Sequence, residues 1–78
     1  MESIFNLHSL RPGETAVVKC LNSKGALRRR LLDMGIVEGT KVECLGVSPG
    51  GDPRAFLIRG TMLAIRGRDC GDIIVNKT

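Results

Sequence analysis

A chain of 78 residues falls below the usual domain size of about 100 to 150 residues, which excludes a second independent core and predicts one domain over residues 1–78. A hydrophobic content of 42% is ordinary for a globular protein and argues against disorder, while an aromatic content of 3% argues against a surface that stacks on single-stranded nucleic acid. The formal net charge of +4 favours acidic proteins, phosphate groups or an anionic membrane leaflet as partners and does not choose among them.

The first long strand is predicted over residues 14–21, directly after a turn that Pro12 and Gly13 favour. This segment is rich in β-branched and apolar side chains, which is typical of a strand. Ala16, Val18 and Cys20 share one side of it, and we expect that side to face the core.

A short amphipathic helix is predicted over residues 26–34. Leu27, Leu31 and Met34 recur at the spacing of one helix face, and Ser23 is the expected N-cap. Because a helix of about nine residues does not persist alone in water, we expect its leucine face to lie on a sheet.

Gly35 specifies the end of this helix. A glycine directly beyond a helix adopts the left-handed conformation without steric strain. Ile36 then falls at the position that contacts Leu31 in a Schellman-type ending. We therefore expect the helix to stop at Met34.

A second strand is predicted over residues 40–47, where Val42 and Cys44 share one side. Proline and glycine residues then mark residues 48–53 as a loop. We expect this loop to lie at the surface, since connecting segments with many unpaired backbone groups remain in contact with water.

The last third of the chain predicts further short strands separated by glycine turns. Gly60 and Thr61 are expected to form a two-residue hairpin turn with glycine first. Strands are predicted over residues 55–59 and 62–66, one turn over residues 67–71, and a last strand over residues 72–75. Five short strands and one small helix predict a mostly β fold, a small closed or partly closed barrel that avoids open sheet edges.

The chain lacks the residue arrangements that an enzyme needs, and we expect neither catalysis nor a cofactor. His8 has no partner at metal-ligand or triad spacing and is interpreted as an incidental polar residue. Neither GxxxxGK[ST] nor GxGxxG is present. General acid-base catalysis needs two groups in fixed mutual geometry, whereas the carboxylates are scattered over Asp33, Glu38, Glu43, Asp52, Asp69 and Asp72.

The three cysteines, Cys20, Cys44 and Cys70, cannot all pair and show no CxxC spacing. We expect reduced thiols that fill the core as small apolar groups. Metal ligation and redox sensing remain the alternatives.

Arg28, Arg29 and Arg30 form the strongest charge cluster. On a helix these three residues span a wide arc, so they cannot all serve one surface. They are either the solvated flank of an amphipathic helix or a docking patch for an acidic partner.

The chain is expected to be cytoplasmic. No apolar run approaches the roughly 20 residues that span a bilayer. The first residues, MESIFNLHSL, lack the basic and apolar regions of a signal peptide.

The run RLLDMGI over residues 30–36, followed by Glu38, Gly39 and Thr40, resembles the RLL-x-MG-x-x-x-GT signature of the FeoA family, small cytoplasmic components of bacterial ferrous iron uptake. The likeness extends over nearly the whole chain. Outside the signature, the matching positions are Leu10, Gly13, Pro49, Gly51, Asp52, Pro53, Gly60, residues 63–66, Ile73 and Val75. Within the signature, the residues expected to have a structural role are Leu31, Leu32, Met34, Gly35 and Gly39. Cys70 stands where the family usually carries alanine, which is interpreted as neutral packing.

The resemblance implies an SH3-like barrel, a fold also found as the C-terminal domain of iron-dependent repressors. It also implies a regulatory or assembly role with FeoB, a membrane ferrous-iron permease with a cytoplasmic GTPase domain. The expected docking surface combines Arg28, Arg29 and Arg30 with the loop residues Pro49, Gly50, Gly51, Asp52 and Pro53.

The alternative function is a metal-responsive regulatory module related to those repressors. We expect no nucleic-acid binding, since the one predicted helix is needed for the core and a duplex binder brings a recognition helix or ribbon. One histidine and unpaired cysteines also predict no tight Fe²⁺ site.

Overall fold

The computed structural model describes residues 4–77, and these form an antiparallel sheet with two short helices. The strands are β1 (Ile4–Asn6), β2 (Thr15–Leu21), β3 (Lys41–Val47), β4 (Arg54–Ile58), β5 (Thr61–Ile65) and β6 (Ile73–Lys77). A 3-10 turn (Leu7–Ser9) follows β1, helix α1 (Gly25–Asp33) follows β2, and helix α2 (Gly67–Cys70) follows β5. The mostly β class, with a helix directly after the first long strand, is confirmed; the division into one domain stays a prediction.

The strands lie in the order β1-β6-β2-β3-β4-β5, so β1 and β5 are the two edges. The register shifts between Val18 and Cys20 where β2 pairs with β6, and between Cys44 and Gly46 where β3 pairs with β4. Such irregularities bend a sheet, and the sheet curls around a hydrophobic cluster. The cluster contains Leu7, Leu10, Ala16, Val18, Leu31, Ile36, Val42, Cys44, Phe56, Ile58, Ile65, Cys70, Ile73 and Val75.

Helix α1 is held to this core mainly through one leucine. Leu31 is buried, while Leu27 and Met34 are half-buried and pack against the cluster. Leu32 points away from the core and is 39% exposed. The prediction of a leucine face on the sheet is confirmed, although Leu32 contributes little to it.

The end of α1 has the predicted Schellman geometry. Gly35 has a φ of +89°, and its N–H donates to the carbonyl oxygen of Leu32 at 3.0 Å. The N–H of Ile36 donates to the carbonyl oxygen of Leu31 at 3.1 Å. These two hydrogen bonds satisfy carbonyl groups that the last helical turn leaves free. They also fix the chain direction after the helix, so that Ile36 lies in the core.

The predicted N-cap is wrong. Helix α1 begins at Gly25, whose φ is +62°, and Lys24 occupies the cap position without a side-chain hydrogen bond. The cap is the residue directly before Gly25, so Ser23 lies one residue too far from the helix to cap it. Ser23 is 6% exposed, and within the described part of the chain its Oγ has no hydrogen-bond partner.

The expectation that Cys20 faces the core is also wrong. Val18 pairs with buried Val75, but Cys20 pairs with Ile74, so the register shift between them reverses the alternation of side chains. Cys20 is exposed as a result. Cys44 and Cys70 are buried as expected.

The hairpin between β4 and β5 turns one residue earlier than predicted. Ile58 pairs with Thr61, so Arg59 and Gly60 form the turn, with φ angles of 53° and 79°. Positive φ at both positions is typical of a type I′ turn, in which glycine stands second.

Strand β1 was not predicted from the sequence, and residues 4–77 form a sheet of six strands where about five were expected. Three residues, Ile4–Asn6, are too few to show a period of two. Across residues 4–77, no helix is long and apolar enough to cross a membrane.

Candidate partner-binding surface

The three consecutive arginines of α1 are exposed but do not share one surface. Successive helix residues are about 100° apart. Arg28 lies towards the end of β2, where its Nη1 donates to the carbonyl oxygen of Leu21 at 3.2 Å. Arg30 instead lines a cleft against α2.

The loop between β3 and β4 is held by its own backbone. The N–H of Gly51 donates to the carbonyl oxygen of Ser48 at 2.7 Å, and the N–H of Ser48 donates to that of Pro53 at 3.2 Å. The peptide bond between Asp52 and Pro53 is cis. Residues 49–53 are all exposed, so this loop presents a defined surface.

Helix α2 lies between that loop and the arginine-bearing helix. On the loop side, Asp52 Oδ1 accepts a hydrogen bond from the N–H of Gly67 at 2.5 Å. On the other side lies a cleft of about 390 Å³, which we call the α1–α2 cleft. It is lined by Leu27, Arg30, Arg66, Arg68, Asp69 and Asp72. The two segments predicted to bind a partner thus flank one short helix that the sequence analysis did not single out.

The α1–α2 cleft carries unpaired positive charge. Arg30, Arg66 and Arg68 are exposed, and none of them forms an ion pair within residues 4–77, where Lys77 and Glu14 form the one ion pair, at 3.4 Å. Asp69 and Asp72 offset part of this charge at the cleft wall. Arg66 and Arg68 flank Gly67 in the sequence, and two basic residues around a predicted turn are the sequence signal that indicates this cleft.

The glycine and threonine positions of the motif build a corner rather than a contact surface. Gly39 has a φ of +87°, and its N–H donates to the carbonyl oxygen of Val18 at 2.8 Å. Val18 N–H donates in turn to the carbonyl oxygen of Thr40 at 2.8 Å. Thr40 Oγ1 donates to the carbonyl oxygen of Gly35 at 3.3 Å. These bonds fasten the end of α1 to β2.

A groove of about 560 Å³ opens beside this corner. Its walls include Lys41, Glu43, Leu57 and Arg59, so acidic and basic side chains alternate around it. The side chain of Arg59 runs against Gly35, where a Cβ would lie 3.3 Å from its Cδ. With no dominant charge, this groove selects no partner by electrostatics.

Burial governs the chemistry of two of the three thiols. Desolvation raises the pKa of Cys70 to about 12 and also raises the pKa of Cys44, so both remain protonated and unreactive near neutral pH. Within residues 4–77, no group of three or more His, Cys, Asp or Glu side chains is placed to hold a metal ion.

Comparison with known sequences gives one family. A family model described as the FeoA domain matches residues 5–77. A Porphyromonas gingivalis protein named as a fusion of Fe(2+) transport protein A and the Fe(2+) transporter FeoB is 30% identical over 71 residues, which cover 91% of this chain. The chain spans 8% of the length of that curated relative.

Solved structures agree with the fold. A FeoA-like protein from Clostridium acetobutylicum is 33% identical with a TM-score of 0.87, covering 96% of this chain and 87% of its own. A zinc complex of FeoA from Stenotrophomonas maltophilia, described as an SH3 domain protein, is 28% identical with a TM-score of 0.81, covering 91% and 88%. The expected SH3-like fold is thereby confirmed.

A manganese-dependent transcriptional repressor shares this fold at lower sequence identity. The repressor is 15% identical with a TM-score of 0.88, and the match covers 100% of this chain and 44% of the repressor. At this identity the likeness concerns the fold alone.

Proposed function

The chain belongs to the FeoA family, and we propose on that basis that it is an accessory protein of ferrous iron uptake that binds the cytoplasmic GTPase domain of an FeoB-type permease. The observation that carries the proposal is the Porphyromonas gingivalis relative, in whose name transport protein A and transporter FeoB form one polypeptide. Covalent linkage raises the effective concentration of two modules that bind each other. In this proposal the protein regulates or assembles the permease and performs no catalysis itself.

The proposed docking face consists of the residues 49–53 loop, helix α2 and the α1–α2 cleft. The support is the hydrogen bond from Gly67 to Asp52, which joins the loop to α2, and the arginines of the cleft, which have no ion-pair partner within residues 4–77. Arginine binds carboxylates through paired hydrogen bonds. The proposal therefore expects an acidic segment of the GTPase domain to meet Arg30 and Arg68, while Arg28 lies outside this face.

The function is tested by uptake of Fe²⁺ into cells that produce the permease but lack this chain. Restoring the chain is expected to restore uptake, and the double variant R30E/R68E is expected to fail although it folds. Lys41→Glu changes an exposed charge in the groove away from α2 and serves as the matched control. Uptake that does not depend on the chain would overturn the proposal.

The alternative of a metal-responsive module is supported only by the fold shared with the manganese-dependent repressor. It differs from the accessory role in requiring metal binding by the chain itself. Anaerobic titration with Fe²⁺ separates the two, since the accessory role expects no stoichiometric binding. A 1:1 isotherm tighter than about 10 μM would favour the alternative.

A further inference from the structure

Strand β5 (Thr61–Ile65) is a sheet edge without the features that usually prevent another strand from pairing with it. Among the described residues it pairs only with β4, and that pairing runs without a register shift. Natural edge strands are commonly protected by charged side chains, proline, bulges or very short length. The sequence of β5, TMLAI, contains no charge and no proline. The other edge, β1, is only three residues long.

The backbone of β5 presents hydrogen-bonding groups outward at two residues. In a two-residue hairpin the flanking pair, here Ile58 and Thr61, exchanges both hydrogen bonds, and bonded pairs then alternate along the strands. Met62 and Ala64 fall at the intervening positions, so their N–H and C=O groups point away from β4. Both residues are exposed, Met62 to 68%.

The inward side chains of β5 hold this edge in place. Ile65 is buried, and Leu63 packs against the core cluster. Phe56 of β4, which pairs with Leu63, is fully buried. Strand β5 is therefore already ordered before a partner binds. A segment that pairs with β5 does not have to supply the free energy of ordering this strand.

A positive charge stands at each end of β5. Arg59 lies in the turn before the strand, where its side chain runs towards Gly35, and Arg66 follows directly after the strand. Both arginines are exposed and neither has an ion-pair partner within residues 4–77. Five strand residues span about 17 Å. A complementary segment pairs about five residues with β5 and carries one acidic residue directly before them and one directly after them.

The same charges disfavour a second copy of this chain as the occupant. Two β5 edges that pair antiparallel about a twofold axis bring Arg59 of one copy towards Arg66 of the other at both ends of the interface. Like charges placed opposite each other across paired strands destabilise the pairing. A partner of a different sequence escapes this repulsion.

We infer that β5 accepts an extended segment of a partner protein as an added strand, and that this segment bears two acidic residues with about five residues between them. Main-chain hydrogen bonds from Met62 and Ala64 supply the pairing, as in other cases of strand addition, while Arg59 and Arg66 select for charge. The inference names a binding mode for the accessory role and rests on that role only for its partner. Because Arg66 also lines the α1–α2 cleft, the added segment leads directly to the proposed docking face.

The probe is a blocked peptide, Glu-Val-Thr-Val-Thr-Val-Glu, added to the ¹⁵N-labelled full chain at up to about 5 mM, where weak binding is still detectable. Shifts of the Met62 and Ala64 amide resonances and slower exchange of those amides are expected. The same peptide with lysine at both ends should bind at least about fivefold more weakly at low salt. No shift at these two amides, or equal binding of the two peptides, would overturn the inference.

Variants of the edge separate backbone pairing from side-chain effects. Ala64→Pro removes an outward N–H, which an edge strand tolerates, and should abolish peptide binding, while Ala64→Ser keeps the N–H and should bind like the parent. The double variant R59E/R66E should reverse the peptide preference, and this result does not depend on the proline variant folding. Peptide binding that Ala64→Pro leaves unchanged in a folded protein, or a preference that R59E/R66E leaves unchanged, would refute it.

Binding to the GTPase domain of the permease is an independent test. If the parent chain binds that domain and folded Ala64→Pro binds it equally well, the strand-addition mode is wrong while the accessory role stands. If the parent chain does not bind the domain, the accessory role fails, and the peptide experiment still decides whether β5 accepts a strand.

Discussion

The carboxylate of Asp52 accepts a hydrogen bond from the backbone N–H of Gly67 at 2.5 Å, and this one contact joins the β3–β4 loop to the first turn of α2. A Cβ on Gly67 would lie 3.4 Å from Asp52 Oδ1 and 3.5 Å from Cε1 of His8, which is ordinary van der Waals contact. The loop residues and the α1–α2 cleft are thereby fixed relative to one another.

Asp52→Ala should release the loop from α2. The lost hydrogen bond is expected to lower the free energy of unfolding by about 1 kcal/mol and to speed hydrogen exchange of the Gly67 amide. Asp52→Asn keeps an acceptor oxygen at the same place and is the matched control. Exchange at Gly67 that is the same in Asp52→Ala and in the parent would show that the contact does not hold the loop.

The adjacent leucines of α1 give a paired test of how the helix lies on the sheet. Leu31 is buried, so Leu31→Ala should lower the free energy of unfolding by about 2 to 5 kcal/mol, a large share of the stability of so small a domain. Leu32 is 39% exposed, and Leu32→Ala should lower it by less than about 1 kcal/mol. Urea unfolding measures both. Equal losses in the two variants would contradict the placement of α1.

The requirement for glycine at the end of α1 can be tested at Gly35, with Gly50 as the control. Gly35→Ala places a Cβ at a φ of +89°, 3.3 Å from the Arg59 side chain, and should destabilise the fold by about 1 kcal/mol or more. Gly50 has open space around its Cβ position and no positive φ, so Gly50→Ala should stay within about 0.5 kcal/mol of the parent. Thermal unfolding of the two variants side by side decides. A Gly35→Ala protein that melts like the parent would mean that the left-handed helix end is not required.

The parts of the fold that could be predicted from the sequence depend on near neighbours along the chain. Leu31, Gly35 and Ile36 lie within six residues of each other, and the helix ending they form needs no information from elsewhere. Cys20 could not be placed correctly because a register shift against β6 reverses its direction. That shift depends on a strand more than fifty residues away in the sequence, which no local pattern reveals.

The proposed docking face could be assembled only in part from the sequence, for the same reason. The loop over residues 49–53 and the arginines of α1 were recognisable by composition. Arg66 and Arg68 acquire their significance only when α2 is brought between these two segments by the sheet. The outward amides of β5 likewise follow from the order of the strands and from the exact turn, which the sequence placed one residue too late.

The burial of the Cys70 thiol predicts that the free energy of unfolding depends on pH in the alkaline range. The pKa of Cys70 is raised from 9.0 to about 12 by burial, so between these values the unfolded chain has released the thiol proton while the folded chain retains it. Since the folded state then binds more protons than the unfolded state, the free energy of unfolding should fall as the pH rises from about 9 to about 12. Cys70→Ala should show a smaller fall. An equal fall in both proteins would contradict the burial of this thiol.

The central claim is that this chain binds the cytoplasmic GTPase domain of an FeoB-type permease, and a calorimetric titration of the two purified proteins tests it most directly. The account predicts saturable 1:1 binding in at least one nucleotide state, weakened at least about tenfold by R30E/R68E, a difference of roughly 1.4 kcal/mol, and unchanged by Lys41→Glu. The absence of binding in the nucleotide-free, GDP-bound and GTP-bound states alike would contradict it.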